Sequence, residues 1–109
     1  MENKYIYKII VHDIFESAKI RNVLYNLGLE WDWNTFSIQS YNLPIKIFAI
    51  TMDGFRFSNF PITCNGSFGL DEVEEINLNK LQQEEFRTQL NKIRILASLE
   101  DEDNGYKNR

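Results

Sequence analysis

Ile45-Lys46-Ile47-Phe48-Ala49-Ile50-Thr51-Met52, followed by Asp53-Gly54 and then Phe55-Arg56-Phe57, is the stretch on which the fold turns. Ile45, Ile47, Ala49 and Thr51 alternate with Lys46, Phe48, Ile50 and Met52. Both faces of such a strand are largely apolar, which predicts a central strand. Asp53-Gly54 predicts a two-residue type I′ hairpin, because that turn needs two residues that tolerate positive φ. The return strand starts at Phe55-Arg56-Phe57 and runs toward Phe60, where Pro61 weakens its continuation. Ile62-Thr63-Cys64 adds a short segment before a second turn signal, Asn65-Gly66.

Toward the N-terminus, residues 4–11 (Lys-Tyr-Ile-Tyr-Lys-Ile-Ile-Val) are β-branched and aromatic and read as a first strand. Asp13 with Glu16 three residues on resembles a capping box. Apolar Phe15, Ala18, Val23, Leu24 and Leu27, with Gly28 after them, predict a helix over about residues 14–27. Glu30-Trp31-Asp32-Trp33 then falls in a connection, or at the start of a second strand near Thr35–Gln39. Toward the C-terminus, residues 67–78 admit a helical turn at Asp71–Glu74 or an edge strand at Glu75–Leu78. Asn79 as N-cap and a stripe of Leu81, Phe86, Leu90, Ile93 and Ala97 predict a second helix over about 80–98. The expectation is a single α+β domain over residues 1–99, ordered β-α-β-β-β-(β)-α, with a mainly antiparallel sheet of about four strands and both helices on one face. Residues 100–109, which open with Glu100-Asp101-Glu102-Asp103, read as an acidic, frayed tail.

The chain has 109 residues, room for one core. Its net charge of −4 is uneven: residues 1–70 carry six Lys/Arg and six Asp/Glu, and residues 71–109 carry six and ten. An acidic balance argues against direct nucleic-acid binding, which needs a basic footprint, and permits a protein partner with a basic surface. The single cysteine excludes a disulfide scaffold. The start of the chain shows no secretory pattern and the longest apolar run is Ile47–Ile50. A cytoplasmic protein with no membrane contact is therefore expected.

The residues available for catalysis are few. His12 and Cys64 stand 52 positions apart and form no local metal or nucleophile motif. Asn65-Gly66-Ser67-Phe68-Gly69 lacks the Lys-Ser/Thr of a phosphate loop. Glutamates 72, 74, 75, 84 and 85 lie in charged runs, where carboxylates are solvated and not driven apart in pKa. No catalytic residue, metal or cofactor is expected, and the chain reads as a non-enzyme. Binding accounts better for the same residues. In an extended segment Trp31 and Trp33 share one face, with Glu30 and Asp32 on the other. Partly exposed indoles beside acidic groups match the composition of interface hot spots. The nominated partner-binding residues are Trp31, Asp32, Trp33 and Tyr41, with Glu72, Glu74 and Glu75 as an acidic contribution.

The order strand, capped helix, Leu24-x-x-Leu27-Gly28-x-x-Trp31, then strands and a turn, over residues 4–60, resembles small bacteriophage-encoded accessory proteins. Abundant Asn, Ile and Lys suit an AT-rich genome. The resemblance implies host-takeover or anti-defence activity in a bacterial cytoplasm, by stoichiometric binding and inhibition of a host or defence protein. Two alternatives stand beside it. A nucleotide-sequestering protein would need basic residues for phosphate, and Lys46, Arg56, Arg87 and Arg94 are scattered along the chain. A toxin-neutralising immunity protein fits the size and acidity equally. The helical stripe from Leu81 to Ala97 could pack within the chain or against a copy of itself, which leaves a homo-oligomer open.

Overall fold

The computed structural model describes residues 4–33, 35–66 and 69–107, with side chains at all of these except 35, 36 and 101–107. In chain order the elements are β1 (Tyr5–Val11), α1 (Ile14–Asn26), β2 (Glu30–Trp31), α2 (Thr35–Ser40), β3 (Lys46–Thr51) and β4 (Arg56–Pro61). Two short 3-10 segments follow, Ile62–Gly66 and Leu70–Glu72, and then β5 (Glu74–Glu75), α3 (Leu78–Leu81) and α4 (Glu84–Lys107). The sheet order is β2-β4-β3-β1-β5. β3 is central, as its two-sided apolar pattern predicts: Phe48 and Ile50 enter one core cluster, Ile47 and Ala49 the other.

The class is α+β, with a sheet of five strands that is mixed instead of mainly antiparallel. β4, β3 and β1 are antiparallel neighbours, while both edges pair parallel, β2 on β4 and β5 on β1. Each edge strand is two residues long, too short for alternation to be read from sequence. Helices α1 and α4 pack on one face, bringing Ile20, Leu24, Phe86 and Leu90 against Ile9, Val11, Phe48 and Phe57. The other face is covered too, by Leu70 and Val73 on Ile47, Ala49 and Phe60, with Cys64 alongside. The sheet therefore leaves its edges, not a face, to a partner.

Local structure departs from the expected boundaries for identifiable reasons. Asp13 caps α1, its carboxylate accepting from the Glu16 amide at 2.8 Å. The buried stripe of α1 is Ser17, Ile20 and Leu24, and Phe15 and Ala18 face solvent. Thr35–Ser40 is helical where a strand is expected. The tertiary reason is Ser37, whose Oγ accepts from the Asn59 amide at 2.9 Å and donates to the Asn59 carbonyl at 3.4 Å. A helix thus takes over the β4 backbone groups beyond the end of β2, and strand propensity yields to context. At the hairpin, Thr51 pairs into β3 and Arg56 begins β4, so the connection is Met52–Phe55, four residues instead of two. Asp53 Oδ1 accepts from the Thr51 hydroxyl at 2.7 Å and the Phe55 amide at 3.0 Å, closing the wider turn. Gly54 sits at φ +79°, and a Cβ there would meet Leu90 Cδ1 and Arg94 Cγ at 3.2 Å, so both its conformation and its surroundings require glycine.

Asn77, not Asn79, provides the cap before the last helices, accepting from the Lys80 amide at 2.9 Å. One turn forms, breaks at Gln82–Gln83, and α4 starts at Glu84. The ambiguous 67–78 segment contains both a 3-10 turn and an edge strand, and Ser67 and Phe68 of the glycine-containing loop lie outside the described residues. The backbone of α4 stays helical through the acidic block to Lys107, beyond the expected end near 98. Among the described residues no helix is long and apolar enough to cross a membrane.

Candidate binding site at the aromatic edge

The β2 edge carries most of the nominated patch. β2 hydrogen-bonds to β4 through the amides of Glu30 (to Phe55 O, 2.9 Å) and Asp32 (to Phe57 O, 2.9 Å). Strand alternation then sends Trp31 to the helix-covered face and Asp32 to the opposite one. Trp31 is the hub of an aromatic cluster. Its ring meets Phe57 at 5.0 Å, Trp33 at 5.2 Å, and Tyr41 and Phe48 each at 5.9 Å, mostly edge to face. These geometries suit the ring quadrupoles and fix the cluster. Above this half-buried floor Trp33 stacks on Tyr41, with centroids 5.8 Å apart and planes 24° apart. Trp33 is 62% exposed and Tyr41 42%. Ile38, on the outward side of α2, is 63% exposed and enlarges the apolar surface.

The remaining nominated residues are elsewhere. Asp32 accepts a hydrogen bond from the Ser58 hydroxyl at 3.1 Å and belongs to the far side of the sheet. Glu72, Glu74 and Glu75 are exposed beside or on β5, the opposite edge. With strands spaced about 4.8 Å apart, four steps across the sheet separate the two edges by about 19 Å. The indoles and the glutamates are therefore two surfaces, not one.

The charge next to the indoles is positive, which the sequence reading missed. Arg21, on α1, donates from Nη1 to the Tyr41 hydroxyl at 3.2 Å, and its guanidinium lies 5.4 Å from the Tyr41 ring centroid. Lys46, at the start of β3, donates to the Tyr41 carbonyl at 2.8 Å and sits 5.8 Å from the same ring. Burial first, and then the Arg21 charge, hold the Lys46 ammonium below the usual lysine range. Among the described residues no lysine or arginine, Arg21 and Lys46 included, has a carboxylate within ion-pair distance. The signal in the sequence was Lys46 itself, a charge on a strand otherwise apolar on both faces. Nothing in the sequence paired it with Arg21, 25 positions earlier.

His12 and Cys64 stay apart. The imidazole Nδ1 lies 3.0 Å from Glu16 Oε1 at the start of α1, and the thiol packs into the cluster on the other face of the sheet. Two shallow grooves, of about 460 and 400 Å³, flank α4, one lined by Val23, Leu27 and Leu81 and the other by Ile6, Met52 and Leu96. Neither contains a nominated residue. No protein-family model, no curated protein and no solved structure matches this chain.

Proposed function

We propose that the chain is a non-enzymatic binding protein that docks a protein partner on the β2–α2 edge and inhibits or modulates it. A host or defence protein as the target follows from the resemblance to phage accessory proteins. The observation that carries the reading is the stacked Trp33–Tyr41 pair, Trp33 largely and Tyr41 partly exposed on an aromatic floor. Exposing large rings costs free energy that docking recovers, and rigid aromatic anchors lose little side-chain entropy when they bind. The partner surface at this edge is apolar at its centre. It need not be basic, because the acidic residues sit on the opposite edge.

The test uses the whole chain as bait in a bacterial lysate, with mass spectrometry to name the captured protein and a titration to measure its affinity. Trp33→Ala is expected to weaken that affinity by roughly 30-fold, the effect of a hot-spot residue of about 2 kcal/mol. Trp33 is a better probe than Trp31. Removing Trp31 empties the space between four rings and costs on the order of 3–5 kcal/mol of stability, which confounds any loss of binding. Unchanged affinity in a folded Trp33→Ala variant sinks the proposal.

A further inference from the structure

The ground beneath the aromatic edge holds an unusual concentration of unsatisfied polar groups. Seven buried side-chain nitrogen and oxygen atoms lack a hydrogen-bond partner among the described residues, and six of them belong to Ser17, Arg21, Trp31, Ser40 and Asn59. Ser17, Ser40 and Asn59 are almost wholly buried. Folded proteins satisfy nearly all such groups, with protein partners, ordered water or a ligand.

Register and helical spacing set these groups in neighbouring pairs, and Tyr41 joins the pairs through Arg21 and Lys46. Asn59 lies opposite Phe48 and Lys46 opposite Pro61, so Asn59 and Lys46 are diagonal neighbours on the helix-covered face. Ser17 and Arg21 are one turn apart on α1. Ser40 directly precedes Tyr41, whose carbonyl accepts from Lys46 and whose hydroxyl accepts from Arg21. Unsatisfied hydroxyls and amides alone could be met by water. Two cations that are near each other, one of them only 3% exposed, and that have no carboxylate in reach call for an anion. Tyr41 offers them only neutral acceptors, where a charged acceptor makes bonds about twice as strong.

We propose that this end of the helix-covered face is an oxyanion site for a phosphate group, with Lys46 and Arg21 supplying charge, Ser17, Ser40 and Asn59 supplying neutral hydrogen bonds, and the phosphate taking over the bond that Arg21 now donates to the Tyr41 hydroxyl. A phosphate monoester carries nearly two negative charges at neutral pH and matches both cations, whereas a carboxylate matches one. The Trp33 ring at the rim offers a stacking face for a base, so a nucleoside monophosphate fits the site better than free phosphate. The site stands whether or not a protein docks on Trp33.

The experiment follows the Arg21 Nε–H and Trp31 Nε1–H resonances by 15N NMR. Sodium phosphate, AMP, sodium acetate and sodium chloride are titrated separately at matched ionic strength. The expected result is a saturable shift of the Arg21 resonance with phosphate and with AMP, and none with chloride. AMP is expected to bind about tenfold more tightly than phosphate, a gain abolished by Trp33→Ala. Arg21→Gln and Lys46→Met are each expected to weaken phosphate at least tenfold, read by the Trp31 resonance. Should Lys46→Met not fold, Arg21→Gln and the wild-type titrations decide the matter alone. Saturation by acetate but not phosphate overturns the phosphate assignment. An unsaturable response, or equal responses in wild type and Arg21→Gln, overturns the site. The lysate capture reads protein docking separately, so either conclusion can fail alone.

Discussion

Lys46 shows how one residue ties stability to the binding site. A lysine on the central strand is normally carried outward, but here it points into the helix-covered face and is buried against Phe48 and Tyr41. Burial and the neighbouring Arg21 lower its pKa from the ordinary 10.5, so the folded state holds the proton less tightly than the unfolded chain does. The unfavourable contribution is therefore fully present at neutral pH. It is relieved as pH rises through the lowered folded value toward 10.5, the interval in which only the unfolded chain keeps the proton. The stability of the wild type relative to Lys46→Met should accordingly rise with pH over that interval, measured by urea unfolding at a series of alkaline pH values. The subtraction removes the raised Tyr5 and Tyr7, which both proteins share. A difference that stays flat, or falls, contradicts a lowered lysine pKa.

At the scale of the element, α1 is the piece that joins the edge to the core, because it delivers Arg21 to the Tyr41 ring and Ile20 and Leu24 to the core. Its start depends on a single side chain, Asp13, whose carboxylate satisfies an otherwise unpaired amide at Glu16 and complements the positive end of the helix dipole. Asp13→Ala is expected to cost about 1 kcal/mol, a fall in Tm of about 4–8 °C for a domain of this size. Asp13→Asn and Asp13→Ser should recover most of it. If Asp13→Ala melts with the wild type, the cap contributes nothing and α1 is fixed by packing alone. The cap was legible from the Asp-x-x-Glu spacing. The phase of the helix was not, because Phe15 and Ala18 compete with Ile20 for the buried stripe and only contact with Val11 and the sheet decides between them.

At the scale of the molecule, the sheet order sets the geometry of binding. Trp33 follows β2 at one margin and Glu74 and Glu75 occupy the other, about 19 Å away across four strand spacings. If one partner touches both margins, Trp33→Ala and the pair Glu74→Lys with Glu75→Lys should change its affinity additively, within about 0.5 kcal/mol, since distant sites without shared neighbours do not couple. A double-mutant cycle on the captured partner measures this. Strong coupling would mean that the margins communicate through the sheet, against their separation. The two edges also explain why neither invites sheet-to-sheet association: β5 is two residues long and carries two glutamates, and β2 gives way to α2, whose Ser37 takes up the next backbone groups of β4.

By itself the sequence determined the central strand, the hairpin that follows it, the cap of α1, and the aromatic composition of the edge. Each of these rests on local chemistry: alternation, a glycine that must take positive φ, a carboxylate three residues from an amide, two indoles within three positions. Tertiary structure alone decided the rest. The two-residue edge strands exist only because β4 and β1 offer them partners. Thr35–Ser40 coils because Ser37 finds the backbone of Asn59. The indoles and the glutamates part because the strand order places them on opposite margins. Arg21 and Lys46 converge on the Tyr41 ring because α1 packs on the face that Lys46 enters, a meeting of residues 25 positions apart that no spacing rule encodes.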